Sequence, residues 1–130
     1  MQRLHLIMGL IGIAAFLTSG LYMHFGHNHL RGLDDTTRLL FRSTHIYLLL
    51  ASLVNLALGM YVAQPVAGWR CWIRRTGSVL VLAEPVLFAL GFAVEPWLTG
   101  LDRPYTRPAV IGTFTGMMLH LVSCCRSGPN

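Results

Sequence analysis

Long runs without charged residues divide this chain, and they constrain its fold more than any other feature. No Asp, Glu, Lys or Arg occurs between Arg3 and Arg31 or between Arg42 and Arg70. The run over residues 76–94 contains a single acid, and the run over residues 108–125 contains none. A helix needs about 20 apolar residues to cross the ~30 Å hydrocarbon core of a bilayer. The pattern therefore predicts an all-α integral membrane protein with four transmembrane helices, over residues 4–25, 39–63, 72–94 and 108–125.

The connections between these helices are short, which favours an up-down-up-down four-helix bundle. We expect residues 1–130 to form one transmembrane domain. The first apolar run is longer than the 7–15 residues of a signal-peptide core, so we expect it to stay as a helix. Gln64 and Pro65 predict a turn after the second helix.

Two of the helices carry start signals at their N-termini. Asp34, Asp35 and Thr36 offer N-caps for the second helix. Thr106 offers a capping hydroxyl for the fourth, where Pro108 fits the first turn. These signals support the predicted helix boundaries.

The composition excludes several classes of protein. Only 12% of the residues are charged and 54% are hydrophobic, whereas soluble domains carry about 25% charged residues. A soluble enzyme, a disordered chain and a collagen are therefore not expected. The three cysteines are odd in number, which argues against a disulfide framework.

The net charge of +5 comes from ten basic residues, all Arg, against five acids. The Arg residues are scattered and form no basic run of the kind that binds nucleic acids, so the partner that we expect is the lipid bilayer and not a nucleic acid. Two equal groups flank the predicted helices: Arg3, Arg70, Arg74, Arg75 and Arg126 on the side of both chain ends, and Arg31, Arg38, Arg42, Arg103 and Arg107 on the other. Basic residues favour the cytoplasmic side, but equal groups do not decide the orientation. We expect a bacterial inner membrane protein with both chain ends in the cytoplasm.

Helical periodicity places polar and small residues on one face of each helix. In the second helix this face contains Arg38, Arg42, His45, Ser52, Asn55 and Gly59, and it leaves out Leu48, Leu50 and Val54. We expect the polar face to point into the bundle. Glycines such as Gly9, Gly12, Gly77, Gly112 and Gly116 are expected to let neighbouring helices approach closely.

Three polar residues are predicted to lie inside the membrane: Glu84, Asn55 and His120. Glu84 is about 12 Å from either end of its helix, near the bilayer midplane. An ionised and unpaired carboxylate would be costly there. We therefore expect Glu84 to be protonated or paired, with Pro85 freeing a backbone carbonyl nearby. Two interpretations stay open: a role in proton transfer or ligand binding, and a neutral structural acid.

Four of the six histidines cluster at one predicted membrane face, and two cofactor chemistries fit them. A b-type haem needs two axial imidazoles and basic groups for its propionates, which His24, His45, Arg38 and Arg42 would supply. A transition metal needs three or four ligands, which His24, His27, His29 and His45 with Asp34 or Asp35 would supply. The third interpretation is that the protein binds no cofactor. At the opposite face, a second set of metal ligands could be formed by His5, Cys71, His120, Cys124 and Cys125.

The sequence contains no nucleophilic triad, phosphate loop or carboxylate pair, so an enzymatic activity is not favoured. The first functional hypothesis is a small accessory or structural subunit that packs in a larger membrane assembly or in a homo-oligomer. The alternatives are a b-type haem electron carrier or quinone-linked redox protein, and the translocation of protons or ions.

Overall fold

The computed structural model describes residues 1–61, 67–98 and 100–124. Within these ranges all regular structure is helical, as the sequence predicts. The four helices are α1 (Gln2–Leu21), α2 (Asp35–Met60), α3 (Trp69–Val94) and α4 (Thr106–Cys124). Short helical turns follow α1 at Tyr22–Gly26 and Asn28–Leu30 and follow α3 at Glu95–Trp97. The Gln64–Pro65 turn and the predicted helix ends at 63 and 125 lie outside the described ranges.

Three helical segments are long and apolar enough to cross a membrane: Gln2–Gly26, Asp35–Met60 and Trp69–Trp97. This is a property of their length and composition. Helix α4 is not among them, although the sequence predicts it as a fourth span. It has 19 residues and includes Arg107 and three threonines, which lower its hydropathy.

The distribution of side chains is the reverse of that in a soluble protein. The buried residues of α1 are His5, Gly9, Gly12 and Ser19, which are all small or polar. By contrast, Leu10 is 63% exposed. Such an apolar surface would be unfavourable in water, whereas lipid tails solvate it. The pattern is compatible with membrane localisation.

The helices pack as two antiparallel hairpins, α1 with α2 and α3 with α4, which meet mainly where α2 contacts α3. Contacts between α2 and α4 are few among the described residues. Glycine brings the first hairpin together, because a Cβ on Gly59 would lie 2.7 Å from the backbone nitrogen of Leu6. Gly77 and Gly116 do the same for the second hairpin: a Cβ on Gly77 would lie 2.8 Å from the Gly116 carbonyl oxygen.

The buried face of α2 differs from the predicted polar face. Ser52, Asn55 and Gly59 are buried as expected. Leu48, predicted to lie outside, is only 1% exposed, and Arg42, predicted to lie inside, is exposed. The prediction was wrong for these two residues. Leu48 lies within about 20° of Asn55 and Gly59 around the helix, at about 100° per residue, so periodicity itself places it on the buried face. Arg42 lies about 120° from Leu48 around the helix, and an arginine toward a helix end can keep its charge in water.

The predicted N-cap of α2 is confirmed. Asp34 Oδ2 accepts a hydrogen bond from the Thr37 backbone N–H at 3.0 Å, and Oδ1 accepts one from the Thr37 hydroxyl at 2.6 Å. These bonds from Thr37 hold the pKa of the Asp34 carboxyl below its usual value, because they favour the ionised form.

Candidate functional site

A chain of buried hydrogen bonds joins α1, α2 and α3. The Asn55 amide nitrogen donates to the carbonyl oxygens of Ala51 at 3.0 Å and Val81 at 2.9 Å. Its amide oxygen lies 2.8 Å from His5 Nδ1. Because both amide hydrogens are directed at carbonyls, the amide oxygen acts as the acceptor and His5 carries its proton on Nδ1.

Pro85 explains why the Val81 carbonyl is free to accept this bond. In a regular helix the residue four positions later donates its N–H to that carbonyl, and proline has none. The sequence predicted that Pro85 frees a carbonyl, and this is confirmed. The group that uses it is Asn55 of the neighbouring helix and not Glu84.

A cavity of about 380 Å³ lies next to this chain of bonds. It is at the end of the molecule marked by Trp69, which we call the Trp69 face; the opposite end, marked by Glu95, is the Glu95 face. The polar and basic lining residues are Gln2, His5, Tyr61, Cys71, Arg74, Arg75, Ser78 and His120. His120 Nε2 lies 3.1 Å from the Ser78 hydroxyl oxygen, and the ring centroids of His5 and His120 are 6.2 Å apart.

His5 has one polar atom left over in this arrangement. Its Nδ1 is used by Asn55, and Nε2 is buried without a hydrogen-bond partner among the described residues. With the proton on Nδ1, Nε2 is an acceptor. A buried polar atom without a partner is unfavourable by about 1–3 kcal/mol. The cavity wall therefore presents an acceptor that is ready to bind a donor.

Glu84 lies deeper in the interior and is only 1% exposed. Neither carboxyl oxygen has a hydrogen-bond partner in the described part of the chain. Gly112 of α4 faces the group, and a Cβ there would lie 3.5 Å from Glu84 Oε1, which is ordinary van der Waals contact. The nearby Thr113 hydroxyl donates to the Ala109 carbonyl at 3.0 Å. An ionised carboxylate in these surroundings would be costly, so the geometry favours the neutral acid over the paired one.

The interior is polar on one side of Glu84 and apolar on the other. Asn55, Ser78 and the two histidines lie toward the Trp69 face. One helical turn toward the Glu95 face is an apolar cluster, which contains Leu48, Ala51, Phe88 and Ala109. Glu84 thus lies between this apolar cluster and the polar residues around the cavity.

A second polar cluster, at the Glu95 face, joins the end of α3 to the start of α4. This cluster was not predicted from the sequence. Glu95 Oε1 accepts hydrogen bonds from the backbone N–H groups of Tyr105 at 2.9 Å and Thr106 at 2.6 Å. Glu95 Oε2 accepts the Thr106 hydroxyl at 2.6 Å and lies 3.6 Å from Arg103 Nε. Glu95 is therefore the cap of α4. The prediction that Thr106 is the N-cap was wrong. An N-cap hydroxyl accepts a backbone N–H, whereas the Thr106 hydroxyl donates to Glu95.

Arg103 extends this cluster to α2. Its Nη2 donates to the hydroxyls of Ser43 and Thr44, and its guanidinium carbon lies 5.9 Å from the centre of the Tyr47 ring. The cluster ties the start of α4 to the start of α2. The sequence contains one signal that could have predicted this cluster. Glu95 and Arg103 carry opposite charges and lie at the two ends of a short connection between apolar helices.

The structure does not gather the residues predicted to hold a haem. His24 is exposed and packs edge-on against His29, whereas His45 lies 2.8 Å from Ser19 Oγ and stacks on Phe16. Arg38 pairs with Asp35, and Arg42 is exposed. These surroundings give no common pocket for His24 and His45, and the haem interpretation stays a prediction.

The predicted metal ligands are also spread out. His27 bonds to the Tyr22 hydroxyl at 2.9 Å and packs near Trp97, apart from the pair formed by His24 and His29. Across the described ranges, no three His, Cys, Asp or Glu side chains are close enough to hold a metal ion.

The second ligand set is partly brought together. His5, Cys71 and His120 line the same cavity, and Cys124 lines an adjoining groove. Cys125 lies outside the described residues. The described members of the set therefore lie around one cavity and its adjoining groove.

Comparisons with known proteins add no assignment: the chain matches no protein-family model, no curated protein and no solved structure.

Proposed function

We propose that this protein is a small integral membrane subunit that works by packing against other membrane-embedded helices, as an accessory or structural subunit of a larger assembly or as one copy in a homo-oligomer. The connections between the helices are short, so little of the chain lies outside the helices to contact a partner. We therefore expect the partner to contact this protein through a transmembrane helix. Apolar residues make up most of the exposed side chains on these helices.

One observation carries this proposal: a groove of about 450 Å³ opens between α1 and α3 near the Glu95 face. Its walls are small residues, namely Ala15, Thr18, Ser19, Ala89 and Ala93, and the other lining residues are Tyr22, Phe41, Leu48, Phe92 and Trp97. Small residues let another helix approach closely, which is the main source of helix association in lipid. A transmembrane helix of a partner or of a second copy fits such a groove.

Filling this groove is the test. We expect wild-type protein, purified in a mild detergent, to elute as a homo-oligomer or with other membrane polypeptides. The variant Ala89→Phe, in the wall of the groove, should shift it toward the monomer, as measured by native mass spectrometry. The matched control is Ala83→Phe, the same change at an exposed position of the same helix outside the groove. A wild-type monomer without partners, or equal effects of both variants, would contradict the proposal.

A second candidate function, proton translocation, is favoured by the surroundings of Glu84. A buried acid that has no hydrogen-bond partner among the described residues, with Asn55, His5 and His120 toward one face, is a typical relay arrangement in membrane proteins. The apolar cluster of Leu48, Ala51, Phe88 and Ala109 closes the other side. A complete path would therefore need groups from a second copy or a partner, which links this candidate to the first.

Glu84→Gln tests this candidate, because it removes the titratable carboxyl proton and keeps the shape of the side chain. If protons pass through Glu84, liposomes with wild-type protein should dissipate an imposed pH gradient faster than empty liposomes, and Glu84→Gln should abolish the difference. A pH-sensitive dye inside the liposomes reports the flux. The control is Asp102→Asn, the same acid-to-amide change at an exposed loop position. Unchanged flux in Glu84→Gln would exclude this role.

A further inference from the structure

The cavity at the Trp69 face continues into a second, apolar space. A groove of about 380 Å³ runs between α2 and α4 and is lined by Val54, Ala57, Leu58, Tyr61, Met117, His120, Leu121 and Cys124. It shares Leu58, Tyr61 and His120 with the polar cavity. The two spaces are therefore adjoining parts of one site, with a polar end and an apolar end.

The polar end has the chemistry of a receptor for an anionic head group. Arg74 and Arg75 lie in its lining, and Ser78 adds a hydroxyl. His5, only 2% exposed, presents Nε2, which has no partner among the described residues. An anion that also carries a hydroxyl matches this set, since the arginines attract the negative charge and His5 Nε2 accepts a hydrogen bond from the hydroxyl.

The depth of the cavity fits the same ligand. Trp69 and Trp72 are 62% and 69% exposed at the start of α3, beside the lining residues Arg74 and Arg75. Exposed tryptophans in membrane proteins concentrate at the level of the lipid head groups, and arginines near helix ends reach the same level. The polar cavity is thus at the depth of lipid phosphates, and the apolar groove runs from it along α2 and α4 toward the lipid tails.

We propose that this site binds one anionic phospholipid, with the phosphate beside Arg75, a head-group hydroxyl on His5 Nε2 and an acyl chain in the groove between α2 and α4. The role is independent of the partner-binding groove, which lies at the opposite face. A bound head group would supply the donor that His5 Nε2 lacks among the described residues.

Titration of the purified protein with phosphatidylglycerol tests the proposal, with thermal stabilisation and lipid adducts in native mass spectrometry as readouts. We expect Arg75→Gln to weaken binding about fivefold, the usual effect of one arginine on an anionic lipid. The matched control is Arg31→Gln, which removes an exposed arginine at the opposite face and should change nothing. Equal effects of the two variants would overturn the site.

Two further measurements separate a lipid from a soluble phosphate. Glycerol phosphate has the head group without the tail, and we expect it to bind at least about 100-fold more weakly, because each buried CH₂ of a tail contributes about 0.8 kcal/mol. Ala57→Phe should fill the groove and weaken phosphatidylglycerol binding, whereas Ala83→Phe should not. Equal binding of glycerol phosphate and phosphatidylglycerol, with no effect of Ala57→Phe, would show a soluble phosphate site and overturn the lipid proposal.

Discussion

Glu95→Ala should destabilise the protein by about 3 kcal/mol, the lower end of what is lost when one partner of a buried ion pair is removed. The Glu95 side chain is fully buried and satisfies the first two N–H groups at the start of α4, together with the Thr106 hydroxyl. Without the carboxylate these donors stay buried and unpaired, and Arg103, whose side chain is 21% exposed, loses its counter-charge. We expect α4 to separate from α3 first, since its start depends on this cap.

Reversible unfolding in detergent micelles, followed by circular dichroism, measures the effect. Glu95→Gln should give an intermediate loss, because the amide oxygen still accepts one backbone N–H while the charge is gone. The matched control is Asp102→Ala, which removes an exposed carboxylate from the same connection and should have little effect. If Glu95→Ala unfolds like Asp102→Ala, the ion pair and the cap do not hold this face together.

The helices of this protein are predictable because long uncharged apolar runs are a strong and simple pattern. In a chain that crosses a membrane every backbone polar group must be satisfied internally, so an uncharged apolar run of sufficient length predicts a helix. The sequence also placed the cap of α2 among Asp34, Asp35 and Thr36, since a side-chain acceptor before such a run favours capping, and the structure shows that Asp34 is the cap. It predicted that Pro85 frees a backbone carbonyl, which the structure identifies as that of Val81.

The inward face of α2 was harder to predict. Leu48 belongs on it by periodicity, since it lies at nearly the same helical angle as Asn55 and Gly59, whereas the error at Arg42 has a physical cause. A polar face defined by periodicity treats all polar residues alike. Near a helix end, however, a long cation reaches water while its backbone stays packed, and it need not point inward. Ser52 and Asn55 lie far from the ends and have no such escape. The polar face therefore points inward at Ser52 and Asn55, and Arg42, nearer to the start of α2, is exposed.

The polar contacts between distant residues could not be predicted from one sequence. Glu95 and Thr106 are close in the chain, yet their contact depends on how the connection folds back on α3. His5 and Asn55 are on different helices, and only the register set by Gly9 and Gly59 brings their side chains together. Helical periodicity gives the face of a residue, but it does not give its partner across an interface.

Asn55→Leu is the second variant with a large expected effect, about 2 kcal/mol of destabilisation. It removes three hydrogen bonds, and bonds between membrane helices contribute on average about 0.6 kcal/mol each. Two of its former partners, His5 Nδ1 and the Val81 carbonyl, would remain buried without a partner. The Val81 carbonyl has no replacement donor within its own helix, because Pro85 has no N–H to donate to it.

Pro85→Ala provides a matched second variant that isolates this carbonyl. Alanine restores a backbone N–H four residues after Val81 and keeps a Cβ where the proline faces Gly12. In the double variant Asn55→Leu with Pro85→Ala, the Val81 carbonyl regains a partner inside α3, so we expect about 1 kcal/mol less destabilisation than the sum of the single variants. Thermal unfolding of the four proteins in one detergent measures this coupling. Strict additivity would mean that Asn55 stabilises the protein through His5 and packing alone, and that the carbonyl freed by Pro85 contributes nothing to the joining of α2 and α3.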